Sequence, residues 1–410
     1  MIEFPVAIGL IGVGGMGLLH RNAIEYLRKE NRTYLHAVAD PAIDKFPDVL
    51  CELTAQGTHI YRDYRTMLER EPELKVVTIA APTPFHEEMA QACLKAGVKV
   101  YLEKPPVPLI QQLDALIRLD VHEDVHVGFQ LISSKWAATI KQWITEGRFG
   151  HLTSIRSGAC WPRTDRYYNR ASWAGQMSLH GRPVFDGPAT NALSHLLHTI
   201  MYFAAPGECE YAEPTEVCGE LYRARPIASY DVACARGRFR SGVQFELAVT
   251  HATQREWPFQ IRITGTKGWA LVSQNGGCLK SCWGGGKYEA DTGSLVNECY
   301  RRYMDFIEGK SGKGLTQLKQ TRGYVLTTNG MLMSSQGIRD IDPEWISTYE
   351  DEKGDGGFEV KNLYEAVQET VQTGRLFSEQ SHRWGKPSEI LKIDRLSYCS
   401  LEEEMASRST

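Results

Sequence analysis

The hydrophobic pattern of the N-terminal part alternates between short apolar runs and segments with helical spacing. Residues 6–11 form an unbroken apolar run, which is typical of a parallel strand buried on both faces. Further strand-like segments, rich in apolar residues, cover 34–40, 74–81 and 98–102, and helical spacing appears at 18–27 and 85–96. This alternation of strand and helix through residue 128 predicts a doubly wound parallel sheet.

After residue 150 the pattern changes to short strand-like runs joined by short turns. Six runs are predicted as strands, at 151–159, 217–222, 233–239, 243–250, 259–264 and 268–273. Short turns between the last four predict antiparallel pairing among them. Helices are predicted at 188–204, 294–308, 317–336 and 363–373. The second part is therefore predicted to be an α/β domain with antiparallel strand pairing, unlike the parallel sheet of the first part.

A glycine-rich turn follows the first predicted strand. Gly12, Gly14 and Gly17 form a G-x-G-x-x-G pattern, with Gly15 and Met16 between the last two glycines. In a dinucleotide-binding turn the first glycine allows the tight turn, the second lets backbone approach a pyrophosphate, and the third lets the helix close on the strand. A glycine-rich turn without a ligand is the alternative. The strand–turn–helix context favours a Rossmann site for NAD.

An acidic residue follows the second predicted strand. Asp40 lies 23 positions after Gly17 and can accept hydrogen bonds from ribose hydroxyls of the adenosine. A carboxylate there repels a 2′-phosphate, and no arginine follows Asp40 directly. NAD is therefore predicted and NADP is disfavoured. A solvated turn acid is the alternative interpretation of Asp40.

Two more strand ends carry residues suited to a cofactor site, which in such sheets lies at the carboxyl ends of the strands. Lys104 ends a predicted buried strand, where partial desolvation suits general acid–base chemistry. The alternative is a surface lysine on a proline-rich turn. The predicted cofactor-binding residues at these ends are Pro82, Thr83, His86, Glu103 and Lys104.

These motifs resemble the glucose–fructose oxidoreductase, inositol dehydrogenase and MocA family. The matching pieces lie in the expected order across residues 5–275 and include "GLIGVGGMG", "VADP", "IAAPTPFHEEMAQACLKAGVKVYLEKP", "GFQ", "EGRFGHL", "GPATNALSHLLH" and "ITGTKGWALV". The resemblance implies an N-terminal Rossmann domain and a C-terminal α/β domain on an open, mostly antiparallel sheet. It also implies a homodimer or homotetramer through that sheet.

The resemblance further implies a set of functional residues. Lys104 matches the usual proton-transfer residue, His195 matches a second catalytic residue, and Gln130 joins the cofactor contacts. The family often has an Asp four residues before that His, whereas this chain has Asn191. A second departure is the apolar pair after Gln130, where a polar residue is common.

The substrate contacts are predicted in the second part of the chain. An aromatic and basic segment at 161–173 suits a sugar, whose C–H face stacks while its hydroxyls hydrogen-bond. A surface loop with ordinary packing aromatics is the alternative. The predicted substrate-binding residues are Arg163, Tyr168, Trp173, Asn191 and His195.

Asn191, His195 and His198 would share one face of the predicted 188–204 helix and resemble half a metal site. No carboxylate-rich partner motif accompanies them, so no metal is predicted, and His198 is expected in the core.

Composition narrows the class of protein. The formal net charge of −4 and the lack of a basic patch argue against nucleic-acid binding. No apolar run is long enough for a membrane helix, and the N-terminus lacks signal-peptide features. The ten scattered cysteines suggest reduced thiols and a cytoplasmic location.

The sequence therefore predicts an NAD-dependent oxidoreductase that acts on a secondary alcohol of a sugar, polyol or glycoside. Two alternatives stay open: glycoside cleavage by transient oxidation with no net redox change, and a non-catalytic dinucleotide sensor. The predicted domains are a dinucleotide-binding domain at 1–128, a substrate and oligomerisation domain at 129–340, and an extension of unknown role at 341–410.

Overall fold

The computed structural model describes residues 4–273, 278–287, 294–312 and 314–401. The chain forms two compact units. The first comprises residues 1–107, 112–133 and 292–321, and the second comprises 108–111, 134–291 and 322–410. The segment 292–321 thus belongs to the first unit, although we predicted it in the second domain. The predicted extension after residue 340 belongs to the second unit.

The first unit is a doubly wound sheet, as predicted. Its strands are β1 (Val6–Ile11), β2 (Thr33–Ala39), β3 (His59–Tyr61), β4 (Val76–Ile79), β5 (Lys99–Leu102), β6 (Val125–Val127) and β17 (Thr316–Gln317). The order is β17-β6-β5-β4-β1-β2-β3, and every pair is parallel except β6 with β17. Its helices are α1 (Met16–Arg28), α2 (Pro47–Ala55), α3 (Tyr64–Arg70), α4 (His86–Lys95) and α9 (Leu295–Ile307). Helix α5 (Ile110–Leu119) begins in residues of the second unit and continues in the first.

Helices pack against this sheet in two hydrophobic clusters. Helices α1 and α9 share one core with β1, in which Ile24 and Tyr300 are fully buried. Leu10 of β1 and Leu53 of α2 belong to a second hydrophobic cluster of this unit. Helix α9 therefore completes the first unit from nearly 170 residues beyond β6, a packing that local periodicity does not reveal.

The second unit is built on one large sheet. Its strands are β7 (Leu152–Cys160), β10 (Pro214–Arg223), β11 (Val232–Phe239), β12 (Gln244–Thr250), β13 (Trp257–Gly265), β14 (Gly268–Ser273), β15 (Cys278–Ser281), β16 (Gly284–Lys287), β18 (Arg339–Asp340) and β21 (Leu391–Lys392). Pairs β8 (Ser178–Leu179) with β9 (Arg182–Pro183), and β19 (Ile346–Glu350) with β20 (Gly356–Val360), form two small sheets. The helices are α6 (Lys135–Thr145), α7 (Asp165–Tyr168), α8 (Ser194–Ala204), α10 (Arg322–Ser334) and α11 (Leu363–Thr373).

The large sheet is mostly antiparallel, as predicted, but one expected pairing is wrong. Strand β7 lies between β12 and β13, parallel to the first and antiparallel to the second. The sequential strands β12 and β13 are therefore not a hairpin. Six residues separate them, more than the two to five of a usual hairpin loop.

The C-terminal segment covers one face of this sheet. Gly158, Cys234 and Glu220 lie in one row across β7, β11 and β10, with β12 between the first two. A Cβ on Gly158 would lie 2.8 Å from Cγ2 of Val371 on α11, and Glu220 accepts hydrogen bonds from Ser378. The opposite face packs against α10, because a Cβ on Gly219 would lie 2.6 Å from Met331 Cα. At these positions both faces of the sheet are thus covered by helices or by the C-terminal segment. The predicted homodimer or homotetramer stays a prediction.

Candidate functional site

Two glycines of the N-terminal motif are required by close backbone contacts. Gly12 has a φ of +90°, and a Cβ there would lie 2.9 Å from the carbonyl oxygen of Ala80. A Cβ on Gly17 would lie 2.1 Å from the carbonyl oxygen of Gly12. No side chain fits either distance. The first glycine therefore makes the turn and the third lets α1 close on β1, as the motif predicts.

The start of α1 fits a phosphate-binding site. Gly15 caps the helix, with open space where a Cβ would be, and none of the first residues of α1 is acidic. A Cβ on Gly14 would meet the Phe46 ring at 2.7 Å. Partly exposed Met16 begins the helix. A helix N-terminus offers amide N–H groups and the positive end of the helix dipole to an anion, which is what a pyrophosphate requires.

Asp40 joins the end of β2 to the glycine turn. Its Oδ2 accepts the Val13 N–H at 2.9 Å, and its Oδ1 accepts the Ala42 N–H at 2.8 Å. A carboxylate oxygen has two lone-pair sites, so each oxygen can accept a further hydrogen bond. Asp40 therefore shapes the turn and still has acceptor capacity for the ribose hydroxyls of NAD.

A network of buried, hydrogen-bonded side chains begins at Glu103, the residue before Lys104. The Oε1 of Glu103 is 2.9 Å from Nε2 of His20, and Nδ1 of His20 is 3.0 Å from the Tyr300 hydroxyl. That hydroxyl is 2.8 Å from Oγ1 of Thr78. Burial favours the neutral acid, but the hydrogen bond and charge of His20 outweigh it and lower the pKa of Glu103. The carboxylate is thus ionised inside the first unit.

This network of hydrogen-bonded side chains fixes the backbone at the predicted catalytic lysine. The second Glu103 oxygen accepts the Lys104 N–H at 3.1 Å, while Lys104 itself is partly exposed after β5. The sequence analysis missed His20 and Tyr300. His20 was inside the predicted helix, but only the packing of α9 on α1 brings Tyr300 to it.

His86 has a structural environment instead of the cofactor contact that we predicted. Its side chain is 1% exposed, with Nδ1 2.9 Å from the Pro105 carbonyl and Nε2 2.8 Å from the Ala81 carbonyl. Burial lowers its pKa. His86 therefore connects the residues that follow β4 to those that follow β5. Pro82, Thr83 and Gln130 are partly exposed at the ends of β4 and β6.

In the second unit, Asn191 faces a carboxylate that the sequence analysis missed. Helix α8 begins at Ser194, so Asn191 lies in the preceding turn and not on the helix, contrary to prediction. The Asn191 amide donates to Oδ1 of Asp186 at 2.6 Å. Asp186 is 4% exposed and also accepts the Gly175 N–H. An Asp at position 191 would therefore meet a second buried carboxylate.

The two histidines of α8 differ in exposure. His195 lies in the first turn and is partly exposed. His198 is fully buried, with its ring 5.0 Å from the Tyr211 ring, and burial lowers its pKa to about 3. His198 is thus a core residue, as expected.

The aromatic and basic segment is only partly available to a ligand. Arg170 lies over the rings of Tyr167 and Trp173, at 3.6 and 4.6 Å, and Trp173 is partly exposed. The Tyr168 hydroxyl is inaccessible to solvent, and Arg225 lies over its ring at 4.7 Å. Burial raises the pKa of Tyr168 well above its usual value. Tyr168 is partly exposed although its hydroxyl is not, so its contact with substrate stays a prediction.

His251 is a polar residue that the sequence analysis missed. It follows β12 directly, is 3% exposed, and its Nδ1 lies 2.8 Å from the Trp161 carbonyl. Trp161 in turn follows β7. The signal was present in the sequence, because His251 comes directly after a predicted strand.

A histidine and glutamate cluster lies at the edge strand of the first unit. Glu71 lies 2.7 Å from Nε2 of His36 and 2.6 Å from Nδ1 of His59, and it also accepts the Tyr61 hydroxyl. These contacts connect β2, β3 and the end of α3. Because Glu71 makes three hydrogen bonds that connect these elements, we interpret the cluster as structural.

Comparison with protein families gives two adjoining matches. Residues 6–130 match a model described as an oxidoreductase family with an NAD-binding Rossmann fold. Residues 137–271 match the GFO/IDH/MocA C-terminal domain. Together the two matches cover most of the chain up to residue 271. Among the described residues, no helix is both long and apolar enough to cross a membrane.

Curated relatives include two dehydrogenases. The levoglucosan dehydrogenase of Pseudarthrobacter phenanthrenivorans is 27% identical over 208 residues, which is 48% of this chain and 52% of that protein. The myo-inositol 2-dehydrogenase of Thermotoga maritima is 27% identical over 37% of this chain and 44% of that protein. The chain thus spans about half the length of these relatives.

Solved structures share the fold. Levoglucosan dehydrogenase in complex with NADH and levoglucosan superposes with a TM-score of 0.68 at 19% identity, covering 81% of this chain and 97% of that chain. The WlbA dehydrogenase of Bordetella pertussis, in complex with NADH and UDP-GlcNAcA, gives a TM-score of 0.66 at 20% identity, covering 81% and 96%.

Proposed function

The chain belongs to the GFO/IDH/MocA family of NAD-binding oxidoreductases, and from this premise we propose that it is an NAD-dependent dehydrogenase of a sugar, polyol or glycoside. The substrate carbon is a secondary alcohol. The observation that carries the proposal is the backbone of Lys104, held at the end of β5 by a buried, ionised Glu103. The names of the curated relatives support the substrate class.

The cofactor in this proposal is NAD, held by the glycine turn, the start of α1 and Asp40. When bound, its nicotinamide accepts the hydride from the substrate carbon. The backbone around Gly12 and Gly17 leaves no room for a Cβ at either position. Asp40 still has lone pairs for ribose hydroxyls. The Asp40 charge opposes a 2′-phosphate, so NAD is preferred to NADP.

Lys104 is proposed as the base that takes the hydroxyl proton. Loss of hydride leaves a carbonyl, so the hydroxyl proton must leave in or near the same step. A positioned base contributes about 10²- to 10⁴-fold to such a transfer. The resemblance to the family assigns the same role to the matching lysine.

Residues of the second unit are proposed to bind the substrate. His195 is the second catalytic residue by family match, and Arg163 and Trp173 are partly exposed side chains suited to a hydroxylated ring. Asn191 cannot take a proton at neutral pH and acts through its amide. Nine cysteines among the described residues are free thiols. This supports a cytoplasmic location as part of the proposal.

The test is a screen of the purified protein with NAD⁺ against sugars, polyols and sugar acids, with NADH followed at 340 nm. On the best substrate, Lys104→Ala should lower kcat by about 10²-fold or more while NAD binding by calorimetry stays unchanged. Lys95→Ala, an exposed lysine at the end of α4, is the matched control and should match wild type.

Three results would change this assignment. A Lys104→Ala variant within a few-fold of wild type would remove the lysine from the mechanism. Turnover of a glycoside panel without accumulation of NADH would favour transient oxidation with no net redox change. Tight NAD binding without turnover of any substrate would favour a dinucleotide sensor.

A further inference from the structure

A C-terminal hairpin contacts the aromatic and basic segment of the second unit. The hairpin consists of β19 and β20, joined by the turn 351–355, and it lies beyond residue 271, where the family match ends. An isolated bridge pairs Thr164 with Gly357 of β20. The segment 161–173, which carries proposed substrate contacts, is thus paired directly with a part of the chain to which the sequence analysis gave no role.

Asp355, in the turn of the hairpin, holds the start of α7. One of its carboxylate oxygens accepts hydrogen bonds from the Thr164 hydroxyl and from the Arg166 N–H, the latter at 3.0 Å. The N–H groups in the first turn of a helix have no acceptor within the helix, and the side chain of Thr164, which precedes α7, does not cap them. Asp355 therefore supplies this cap from 189 residues further along the chain.

Arg225 connects the hairpin to the same segment. Its side chain is 6% exposed, and it forms an ion pair with Asp165 of α7. It also donates to the Arg163 carbonyl at 3.4 Å and to the Gly356 carbonyl at 3.3 Å. Its guanidinium carbon lies 4.7 Å from the Tyr168 ring centroid. A lysine has one compact ammonium in place of the planar guanidinium and could not keep these contacts together.

Helix α7 extends these contacts to side chains that are open to solvent. Arg170 is exposed and donates to the carbonyl of Tyr167, which belongs to α7. The guanidinium of Arg170 also lies over the rings of Tyr167 and Trp173, and Trp173 is partly exposed. A cation is attracted to the face of an aromatic ring. The positions of Arg170 and Trp173 therefore depend on where α7 lies.

The hairpin is anchored to the rest of the unit by contacts that do not involve Asp355. Val360 of β20 is 1% exposed, and its N–H donates to the Ala252 carbonyl at 3.1 Å. The hydroxyl of Tyr349 on β19 donates to the Thr253 carbonyl at 3.1 Å. Removal of the Asp355 carboxylate should therefore leave the hairpin in place and release only the start of α7.

We propose that the C-terminal hairpin is a positioning element of the substrate site: Asp355 and Arg225 fix the start of α7, and α7 in turn orients Arg170 and Trp173 to bind the sugar or polyol. This inference rests on the proposed function for the substrate class. Asp355 and Arg225 are positioning residues that act through the segment 161–173. Holding a binding segment in place before the ligand arrives lowers the ordering cost of binding. The hairpin therefore strengthens substrate binding and leaves NAD binding and hydride transfer unchanged.

The test measures substrate binding in variants that loosen the start of α7. The probes are levoglucosan, myo-inositol and the best substrate of the NAD⁺ screen, used with the NADH-loaded protein in calorimetry and with NAD⁺ in turnover. Asp355→Ala should raise the Kd and KM of the substrate about five- to tenfold, the effect of one lost hydrogen bond, while kcat and NAD affinity stay unchanged. Asp355→Asn keeps an oxygen that can accept from Thr164 and Arg166, so it should recover most of the loss.

Three further variants test whether the effect passes through the segment. Glu352→Ala removes an exposed carboxylate of the same turn and is the matched control, which should bind like wild type. Arg225→Lys should raise KM without changing kcat. In a Trp173→Ala background, Asp355→Ala should weaken substrate binding little further, because both changes affect the same contact. Melting temperatures are measured for all variants.

The outcomes distinguish this inference from the proposed function. An unchanged substrate Kd in Asp355→Ala would overturn the inference while the dehydrogenase proposal stands. The same holds for equal losses of kcat, NAD affinity and substrate affinity with a lower melting temperature, which would mean a structural role only. Probe binding that weakens in Asp355→Ala, without any NADH formation by wild type, would support the inference while refuting the dehydrogenase. Wild type that binds no probe and forms no NADH would refute both.

Discussion

Placing an aspartate at position 191, where the family often has one, should harm this protein. The Asn191 amide donates to Asp186 at 2.6 Å, and Asp186 is 4% exposed. Asn191→Asp removes that donor and brings a second carboxylate against the first. Arg170, 3.9 Å from Asp186, offsets only part of the added charge. We expect lower stability and no gain in activity.

The magnitude follows from two contributions. Losing a hydrogen bond to a charged acceptor costs about 1.5–3 kcal/mol. Two like charges about 4 Å apart repel by about 4 kcal/mol at an effective dielectric constant of about 20, an upper bound because the new side chain can turn away. We therefore expect Asn191→Asp to lower the free energy of unfolding by about 3–5 kcal/mol at pH 8.

The pH dependence identifies the cause. Repulsion raises the pKa of the carboxylate pair in the folded state above its unfolded value, so the variant is most stable below the unfolded pKa. Its stability is lost as the pH rises through the folded pKa. The deficit relative to wild type should therefore shrink between pH 8 and pH 5.

The assay is thermal and urea unfolding at both pH values, with Asn191→Ala as the control. The alanine variant loses the hydrogen bond but adds no charge, so its deficit should be smaller and should depend less on pH. An aspartate variant as stable as wild type at pH 8, or one with higher kcat/KM, would refute the reasoning.

Three other predictions concern the first unit and the C-terminal segment. Gly17→Ala should abolish NAD binding in calorimetry because its Cβ would lie 2.1 Å from a carbonyl oxygen, whereas Gly312→Ala, where a Cβ would meet no atom within 4 Å, should retain it. Burial lowers the pKa of His126 to about 4 in the folded state. As the pH falls below about 6.5, this histidine is therefore protonated in the unfolded state before it is protonated in the folded state. Wild type should thus lose about 2 kcal/mol of stability through this residue between pH 7.5 and pH 5, and His126→Phe should not. Deleting residues 351–410 should uncover the sheet face at Gly158 and give aggregates in size-exclusion chromatography.

Each of these has a contradicting result. Equal NAD affinity of the two glycine variants would show that the turn tolerates a Cβ at position 17. Identical acid midpoints for wild type and His126→Phe would show that this histidine does not govern acid stability. A truncated chain that unfolds cooperatively at the wild-type temperature would show that the C-terminal segment is not part of the core.

Local features of the chain were predictable from the sequence alone. The run at 6–11, the glycine turn, Asp40 and the helix before Lys104 appear in the structure where periodicity and turn chemistry placed them. Each depends on residues close in the chain, through apolar spacing, the positive φ of Gly12 or the end of a strand. The G-x-G-x-x-G turn and the E-K-P segment also contain the chemistry that indicates the family.

Contacts between distant segments were decided by the tertiary structure. Only packing inserts β7 between β12 and β13, buries the Tyr168 hydroxyl, and brings Tyr300 to His20 from 280 residues away. From the sequence alone, Asn191 is interpreted as the replacement of a catalytic acid. In the structure its amide contacts Asp186. The physical reason is common to these cases: a side chain's pKa, exposure and partners depend on what folds against it, and the spacing of residues along one segment does not contain that information.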